Sequence, residues 1–229
     1  MSLTGPMVAA ASGTAKQLVI LCHGYGSDGN DLIALAPFWR QALPDADFVA
    51  PNAPERCGGN PMGYQWFPIT RLDPAEIAAG VSGAAPILEA FIFEQLAARG
   101  LSASQLALVG FSQGTMMALH VGLRLAVPPA CIAGFSGALA VPERLPAEIR
   151  CRPPVLMVHG EVDDMLPVTR MYMAVQALGA ADVPVQWHVS PGLGHSIDQT
   201  GLELGGRFIA DAFAGRFTKG VTPQGFPAP

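Results

Sequence analysis

The sequence predicts an α/β fold in which a mostly parallel central β-sheet carries helices on both faces. Short runs of consecutive apolar residues, such as QLVILC at 17–22, are typical of strands that are buried on both faces. These runs alternate with longer stretches of helical periodicity, which indicates crossover connections between parallel strands. Half of the 229 residues are hydrophobic, enough to cover such a sheet without disulfides or metal sites.

The strands are predicted from apolar or β-branched runs that end at glycine, proline or a polar cluster. In chain order they are 17–22, 46–50, 105–111, 130–135, 154–158 and 184–189. A long loop at 51–72 holds several prolines and an apolar group that includes Trp66 and Phe67. Loops of this length in a compact domain are usually functional or disordered.

Helices are predicted between these strands. Their ranges are 32–43, 73–99, 113–125, 167–178 and 199–214. The first has Asn30 or Asp31 available as its cap. The second begins at DPAE with Asp73 as the cap and Pro74 in the first helical position, and Pro86 is expected to interrupt it with a kink.

One domain is expected over residues 17–214. The segment 1–16 is expected to be a flexible start, because its apolar run at 7–12 is too short for a signal-peptide core and no positive charge precedes it. Residues 215–229 are rich in glycine and proline and are expected to form a poorly ordered tail.

Charge and cysteine usage exclude several classes of function. A net charge of -5 argues against nucleic acid as a partner and against attraction to an anionic membrane surface. No run reaches the about 18 apolar residues that cross a bilayer, so no stable membrane insertion is expected. The cysteines at 22, 57, 131 and 151 have no metal-ligand spacing. They predict no metal site and free thiols in a reducing cytoplasm.

A G-x-S-x-G motif, Gly110 to Gly114, lies between a predicted strand and a predicted helix. The turn is so tight that side chains at the glycine positions would collide, and it holds Ser112 in a strained conformation with its Oγ exposed. This context makes Ser112 a candidate nucleophile rather than part of an ordinary strand–helix turn.

A serine nucleophile needs a base, and the base needs an acid that orients it. On this kind of scaffold the chain order is Ser, then Asp or Glu, then His. Of the five histidines, His195 is downstream and lies in a glycine-rich loop after the last strand. The acid is expected in the loop VHGEVDDMLP at 158–167, where the residues themselves leave Glu161, Asp163 and Asp164 open.

Acyl transfer also needs hydrogen-bond donors for the developing oxyanion. The backbone N–H of Gln113 follows the nucleophile at a helix N-terminus, and that of Tyr25 lies in the glycine loop HGYG. This loop lacks the spacing of a dinucleotide-binding turn and the lysine of a P-loop, so a phosphate site is disfavoured.

At this point the chain resembles the phospholipase/carboxylesterase family of α/β-hydrolases, the group that includes acyl-protein thioesterases. The resemblance extends over residues 17–214. It is carried by the order and spacing of LCHGYGSDGNDL, APNAP, YQWFPI, GFSQGT, HGEVDDMLP and GLGHS.

The resemblance implies an α/β-hydrolase fold without a large cap domain, hydrolysis of carboxylic esters or thioesters, and no cofactor. By position it implies Ser112 as the nucleophile, Asp163 as the acid and His195 as the base. It implies oxyanion donors at the backbones of Tyr25 and Gln113.

The resemblance also implies a hydrophobic wall for the substrate, formed by Trp66, Phe67, Met165 and Leu166. Three positions depart from the usual family pattern and leave the triad untouched. Thr115 replaces a second glycine, Tyr25 replaces a small aliphatic residue, and Met-Leu-Pro replaces Val-Val-Pro in the acid loop. The change at Tyr25 bears on the size of the acyl pocket.

The expected function is therefore a serine hydrolase that cleaves carboxylic esters or thioesters through a Ser-His-Asp triad and an acyl-enzyme intermediate. Its expected partner is a small-molecule acyl ester or thioester, and a homodimer is left open. Two alternatives remain: a peptidase or lactonase on the same triad, and a non-catalytic binding protein that uses the fold. A complete triad argues against the second, because a binding protein has no need of one.

Overall fold

Strands and helices alternate along the chain, and the computed structural model describes residues 3–70 and 73–217. The strands are β1 (Met7–Val8), β2 (Gln17–Cys22), β3 (Ala46–Val49), β4 (Glu55–Arg56), β5 (Tyr64–Gln65), β6 (Leu106–Phe111), β7 (Cys131–Phe135), β8 (Val155–Gly160) and β9 (Val185–Ser190). The helices are α1 (Gly29–Ile33), α2 (Ala36–Trp39), α3 (Pro74–Arg99), α4 (Gln113–Gly122), α5 (Leu145–Glu148), α6 (Thr169–Ala180) and α7 (Gln199–Phe213).

The central sheet has seven strands in the order β1-β3-β2-β6-β7-β8-β9. In this sheet every neighbouring pair runs parallel except β1 and β3, which pair antiparallel. The predicted α/β class with a mostly parallel sheet is therefore confirmed. The carboxyl ends of the parallel strands meet at one edge of the sheet, where ligand sites of such folds lie.

Two apolar layers cover the sheet because alternate residues of each strand point to opposite faces. Leu18 and Ile20 of β2 pack with the layer that includes buried residues of α3, α4 and α6. Val19 and Leu21 pack with the layer that includes residues of α1, α2 and α7.

Part of the segment 1–16, which the sequence predicts to be flexible, forms strand β1 in the structure. Met7 and Val8 pair with Val49 and Phe48 of β3, and Ala10 N–H donates to Asp47 Oδ1 over 2.8 Å. The outer backbone of β3 would otherwise be an unpaired sheet edge, and that edge supplies the pairing which the local sequence does not encode.

The predicted helix at 32–43 is two short helices, α1 and α2. Pro37 explains the break, because a proline inside a helix lacks the N–H donor and clashes with the carbonyl four residues earlier, here that of Ile33. The cap of α1 is Asp28, whose side chain accepts from the N–H groups of Asn30 and Asp31, rather than either of those residues.

The helix α3 starts as predicted, with the Asp73 side chain accepting from the N–H groups of Ala75 and Glu76. It then continues without interruption through Pro86, contrary to expectation. Val81 before the proline and Leu88 after it are both fully buried, and this packing on either side outweighs the lost backbone hydrogen bond. By length and composition, with a mean hydropathy of 1.4 in its most apolar window, α3 is also the one described helix that could span a bilayer.

Two further segments differ from the expected loops. The long loop at 51–72 contains a small antiparallel hairpin of β4 and β5. Of the predicted tail, residues 218–229 lie outside the described residues, whereas Phe217 packs on Phe208 of α7 with ring centroids 4.8 Å apart.

The start of α4 is tied to the sheet by Thr115, the residue that replaces a glycine of the family pattern. Its hydroxyl oxygen is fully buried and lies 2.8 Å from Gly110 O of β6. The same oxygen lies 3.0 Å from Phe135 O and accepts from Phe135 N–H over 3.1 Å. Its methyl group packs against Gly134, where an added Cβ would come within 2.5 Å.

Thr115→Val should lower the free energy of unfolding by about 1–3 kcal/mol, because it leaves buried backbone groups of β6 and β7 without their hydroxyl partner. Thr115→Ser keeps the hydroxyl and should lose less. Urea unfolding of the three proteins measures the difference. Equal stability of the valine variant and the wild type would contradict the role of the hydroxyl.

Candidate active site

Ser112 lies between β6 and α4 with φ 53° and ψ -115°, a strained conformation for a residue with a side chain. Glycine is required on both sides of it by close packing. A Cβ at Gly110 would come within 2.4 Å of Gly114 C, and a Cβ at Gly114 within 1.9 Å of Cys22 O. The local structure is therefore the sharp strand–turn–helix that exposes a nucleophilic serine.

The glycine loop after β2 lies directly beside this turn. A Cβ at Gly24 would be 3.3 Å from Ser112 Cβ, so Tyr25 follows a residue that contacts the serine. The ring of His23 holds the loop through two hydrogen bonds. Its Nε2 accepts from Ala53 N–H over 3.0 Å and its Nδ1–H donates to Gly24 O over 2.7 Å. Burial lowers the pKa of His23, which keeps the ring neutral for these two bonds.

The side chain of Gln113 ties the start of α4 to the segment 66–67. Its Oε1 accepts from Trp66 N–H over 2.9 Å, and its Nε2 donates to Phe67 O over 2.8 Å. The indole N–H of Trp66 donates to His23 O over 2.9 Å. Trp66 is therefore hydrogen-bonded to both segments that carry the predicted oxyanion donors, the glycine loop through His23 and the start of α4 through Gln113.

The hairpin of β4 and β5 holds the glycine loop from the other side. Gly26 N–H donates to Tyr64 O over 2.9 Å, and Tyr64 N–H donates to Ser27 O over 2.7 Å. The side chain of Tyr25 turns toward the same hairpin, where a hydrogen bond with Cys57 raises the pKa of the phenol. The Tyr25 ring is thus held on the hairpin, where a Cβ at Gly59 would lie 3.8 Å from it.

The two adjacent aspartates after β8 lie in different environments. Asp163 is 5% exposed, and its Oδ2 is 2.7 Å from Nδ1 of His195. Its Oδ1 accepts from the N–H groups of Met165 and Leu166, over 3.1 and 2.8 Å. Asp164 is exposed. Of the acids that the sequence left open, Asp163 is the one that contacts His195.

The loop that carries His195 is bonded to the acid loop and to the end of β7. Val162 N–H donates to Leu193 O over 3.0 Å, and Ser136 Oγ donates to Ser196 O over 3.1 Å. The His195 ring lies 4.9 Å, centroid to centroid, from the ring of Phe111, the residue before the nucleophile. These contacts bring His195 to the serine turn from the other end of the chain.

The contact between His195 and Asp163 also decides the tautomer of the base. A carboxylate oxygen only accepts, so the His195 proton is on Nδ1. Nε2 then carries a free lone pair, which is the form of imidazole that can take a proton from a hydroxyl.

An apolar groove of about 270 Å³ lies beside the start of α4 and the acid loop. Met116, whose N–H donates to Ser112 O over 3.3 Å, lines it on one side, and Leu166 of the acid loop lines it on the other. Met165 also lines the groove and is 67% exposed. Its remaining walls are Pro74, Ile77, Ala138, Leu139, Ala140, Val141, Pro142, Glu143, Pro167, Arg170 and Met173.

The four residues expected to form one substrate wall are thus separated. Met165 and Leu166 line the groove, whereas Trp66 and Phe67 are 1% and 2% exposed in the core and line a different pocket beside α3. Met116 was not predicted from the sequence to line a site, although its position one helical turn after Ser112 in α4 is a signal that places it there. Among the described residues, no group of three or more His, Cys, Asp or Glu side chains could hold a metal ion.

Known proteins share both this fold and much of this sequence. The phospholipase/carboxylesterase family model matches residues 3–212. The crystal structure of esterase PE8 is 49% identical in sequence, and it superimposes with a TM-score of 0.90 over 93% of this chain and 100% of that chain. Acyl-protein thioesterase 1 of Saccharomyces cerevisiae is 30% identical over 178 residues, 72% of this chain and 78% of the yeast protein. Esterase YpfH of Escherichia coli is 27% identical over 190 residues, 83% of this chain and 80% of that protein.

A family match over nearly the whole described chain agrees with the parallel sheet and with the sharp turn at Ser112, and this chain belongs to the phospholipase/carboxylesterase family of α/β-hydrolases.

Proposed function

We propose that this protein is a serine hydrolase that cleaves carboxylic esters or thioesters through Ser112, His195 and Asp163. The 2.7 Å contact between His195 Nδ1 and Asp163 Oδ2, beside a serine in a strained turn, is the observation that carries the proposal. A structural serine at this position would gain nothing from the strain, and a surface histidine would not need a buried carboxylate.

In the proposed reaction His195 Nε2 takes the Ser112 proton while Oγ attacks the acyl carbon. Asp163 holds the Nδ1 tautomer and stabilises the imidazolium that forms. The backbone N–H groups of Tyr25 and Gln113 donate to the oxyanion of the tetrahedral intermediate. The protonated His195 then gives its proton to the alcohol or thiol, which leaves as the acyl–Ser112 ester forms. Water next attacks this ester while His195 takes its proton, and His195 returns the proton to Ser112 Oγ as the acid is released.

The proposed substrate is a small acyl ester or thioester whose acyl chain enters the groove between Met116 and Met165. Apolar walls bury the methylene groups, and Glu143 and Arg170 are the charged residues among its lining. The names of the relatives, an esterase and an acyl-protein thioesterase, support both kinds of leaving group. A cytoplasmic setting, which the free cysteines at 22, 57, 131 and 151 suit, belongs to the same proposal.

Ser112→Ala should abolish hydrolysis of p-nitrophenyl esters and labelling by a fluorophosphonate probe, because it removes the attacking oxygen. The matched control is Ser104→Ala, a change at an exposed serine, which should keep both. Mass spectrometry of the labelled protein locates the adduct. A wild-type protein without an adduct on Ser112 would refute the serine-hydrolase proposal.

Asp163→Asn should lower kcat by several orders of magnitude, because an amide preserves the shape but favours the wrong histidine tautomer. The same aspartate-to-asparagine change in the triad of a serine protease lowers kcat about 10⁴-fold. Asp164→Asn changes an exposed neighbour and should leave kcat close to that of the wild type. Steady-state kinetics measures kcat of both variants, and circular dichroism checks that each is folded. The opposite pattern would place the acid at Asp164.

Ala138→Phe should fill the groove and lower kcat/KM for octanoyl esters by roughly 10-fold or more, while acetyl esters change little. A phenyl ring there occupies space that only a long acyl chain needs. Kinetics on acyl esters of graded length measures the split. Equal losses on acetyl and octanoyl esters would contradict an acyl site in the groove.

The comparison variant in this series is Trp66→Phe, which removes the indole N–H from His23 O but leaves the groove unchanged. Its effect should be about the same for all chain lengths, because a displaced oxyanion loop acts on the acyl carbonyl and not on the chain.

A further inference from the structure

A second histidine, His159, lies against the carboxylate that holds His195. It is the fifth residue of β8, four positions before Asp163, and its side chain is fully buried. No step of the proposed reaction uses it. Its position nevertheless puts an imidazole on each side of Asp163.

The geometry fixes what this ring donates. His159 Nε2 is 2.7 Å from Leu166 O and 3.2 Å from Asp163 Oδ2. A carbonyl oxygen only accepts, so the proton of His159 is on Nε2. The N–H group is therefore directed at Leu166 O, and the same nitrogen lies close to the carboxylate oxygen that accepts from His195.

The other nitrogen of His159, Nδ1, shows that a histidine at this position has a cost for stability. Nδ1 is buried and has no hydrogen-bond partner among the described residues. An unpaired buried acceptor is costly, and a leucine of similar size would avoid that cost. Burial lowers the pKa of His159, so the ring stays neutral, and its lack of exposure excludes contact with substrate. What the histidine offers over an apolar residue is the Nε2–H group alone.

We propose that His159 is a positioning residue that acts through Asp163. Its N–H holds Leu166 O, which closes residues 163–166 around the carboxylate, and it lies against Oδ2 so that the rotamer reaching His195 is favoured over its alternatives. The loop then supplies the remaining contacts to Oδ1 from the N–H groups of Met165 and Leu166. This inference rests on the proposed serine-hydrolase function.

The test uses His159→Leu, which removes the N–H at similar volume, and His159→Gln, whose longer amide can place an N–H near the position of Nε2. His159→Leu should lower kcat for a short ester roughly 10- to 100-fold, the size expected when a buried carbonyl, here Leu166 O, loses its donor, with KM unchanged. His159→Gln should recover most of that loss. The proton NMR signal of His195 Nδ1–H should move in the leucine variant and return toward its wild-type position in the glutamine variant.

The matched control is His120→Leu, a change at another buried histidine whose Nδ1 also has no described hydrogen-bond partner. Burial lowers the pKa of His120 to about 4, and it lies in α4 without contact to Asp163 in any described hydrogen bond or ion pair. This variant should keep kcat and the His195 signal. If the leucine variant at 159 does not fold, His159→Asn replaces it, because its shorter amide does not reach Leu166 O.

Two results would overturn the inference. One is a leucine or asparagine variant with wild-type kcat and an unmoved His195 signal, and the other is a glutamine variant as impaired as the leucine variant. Ser112→Ala is assayed in the same series. If the wild type shows no hydrolysis that depends on Ser112, the proposed function fails instead, while the NMR signal, read without substrate, still tests the effect of His159 on His195.

Discussion

The contact between Gly114 and the end of β2 is the constraint on which the rest of the site depends. A Cβ at Gly114 would come within 1.9 Å of Cys22 O, so the first turn of α4 rests directly on the strand that leads into the glycine loop. This approach forces the tight turn at Ser112, with φ 53°, and brings Gly24 beside the serine. One backbone contact thus places Ser112, the predicted nucleophile, next to the loop that carries Tyr25, a predicted oxyanion donor.

The strain in that turn is offset by bonds that have no part in the chemistry. Thr115 ties the turn to β6 and β7, and the Gln113 side chain ties it to the backbone of Trp66 and Phe67. Since Trp66 also bonds His23, displacement of either predicted oxyanion donor would break buried hydrogen bonds. The turn at Ser112 and the glycine loop that carries Tyr25 are therefore both held by buried hydrogen bonds, as preorganised donors for an oxyanion would need.

Asp163 and His195, the predicted acid and base, lie on two loops that are hydrogen-bonded to each other. Asp163 and His195 follow β8 and β9, which are neighbours at the edge of the sheet. Hydrogen bonds between the loops, such as that from Val162 N–H to Leu193 O, and the donors around Asp163 hold this pair. The groove opens beside them, so its walls at Met165 and Leu166 belong to the same loop as the acid.

The sequence by itself determined the fold class and the sharp glycine-flanked turn at Ser112, because apolar periodicity and glycine spacing are local signals that are written in consecutive residues. The chain order of acid and base stays a prediction. The tertiary structure alone decided that β1 pairs with the edge of β3, that α3 runs through Pro86, that Trp66 is bonded to His23 and Gln113 instead of lining the groove, and that His159 faces Asp163. Each of these depends on atoms distant in the chain or on packing that overrides local preference, and no pattern of neighbouring residues encodes them.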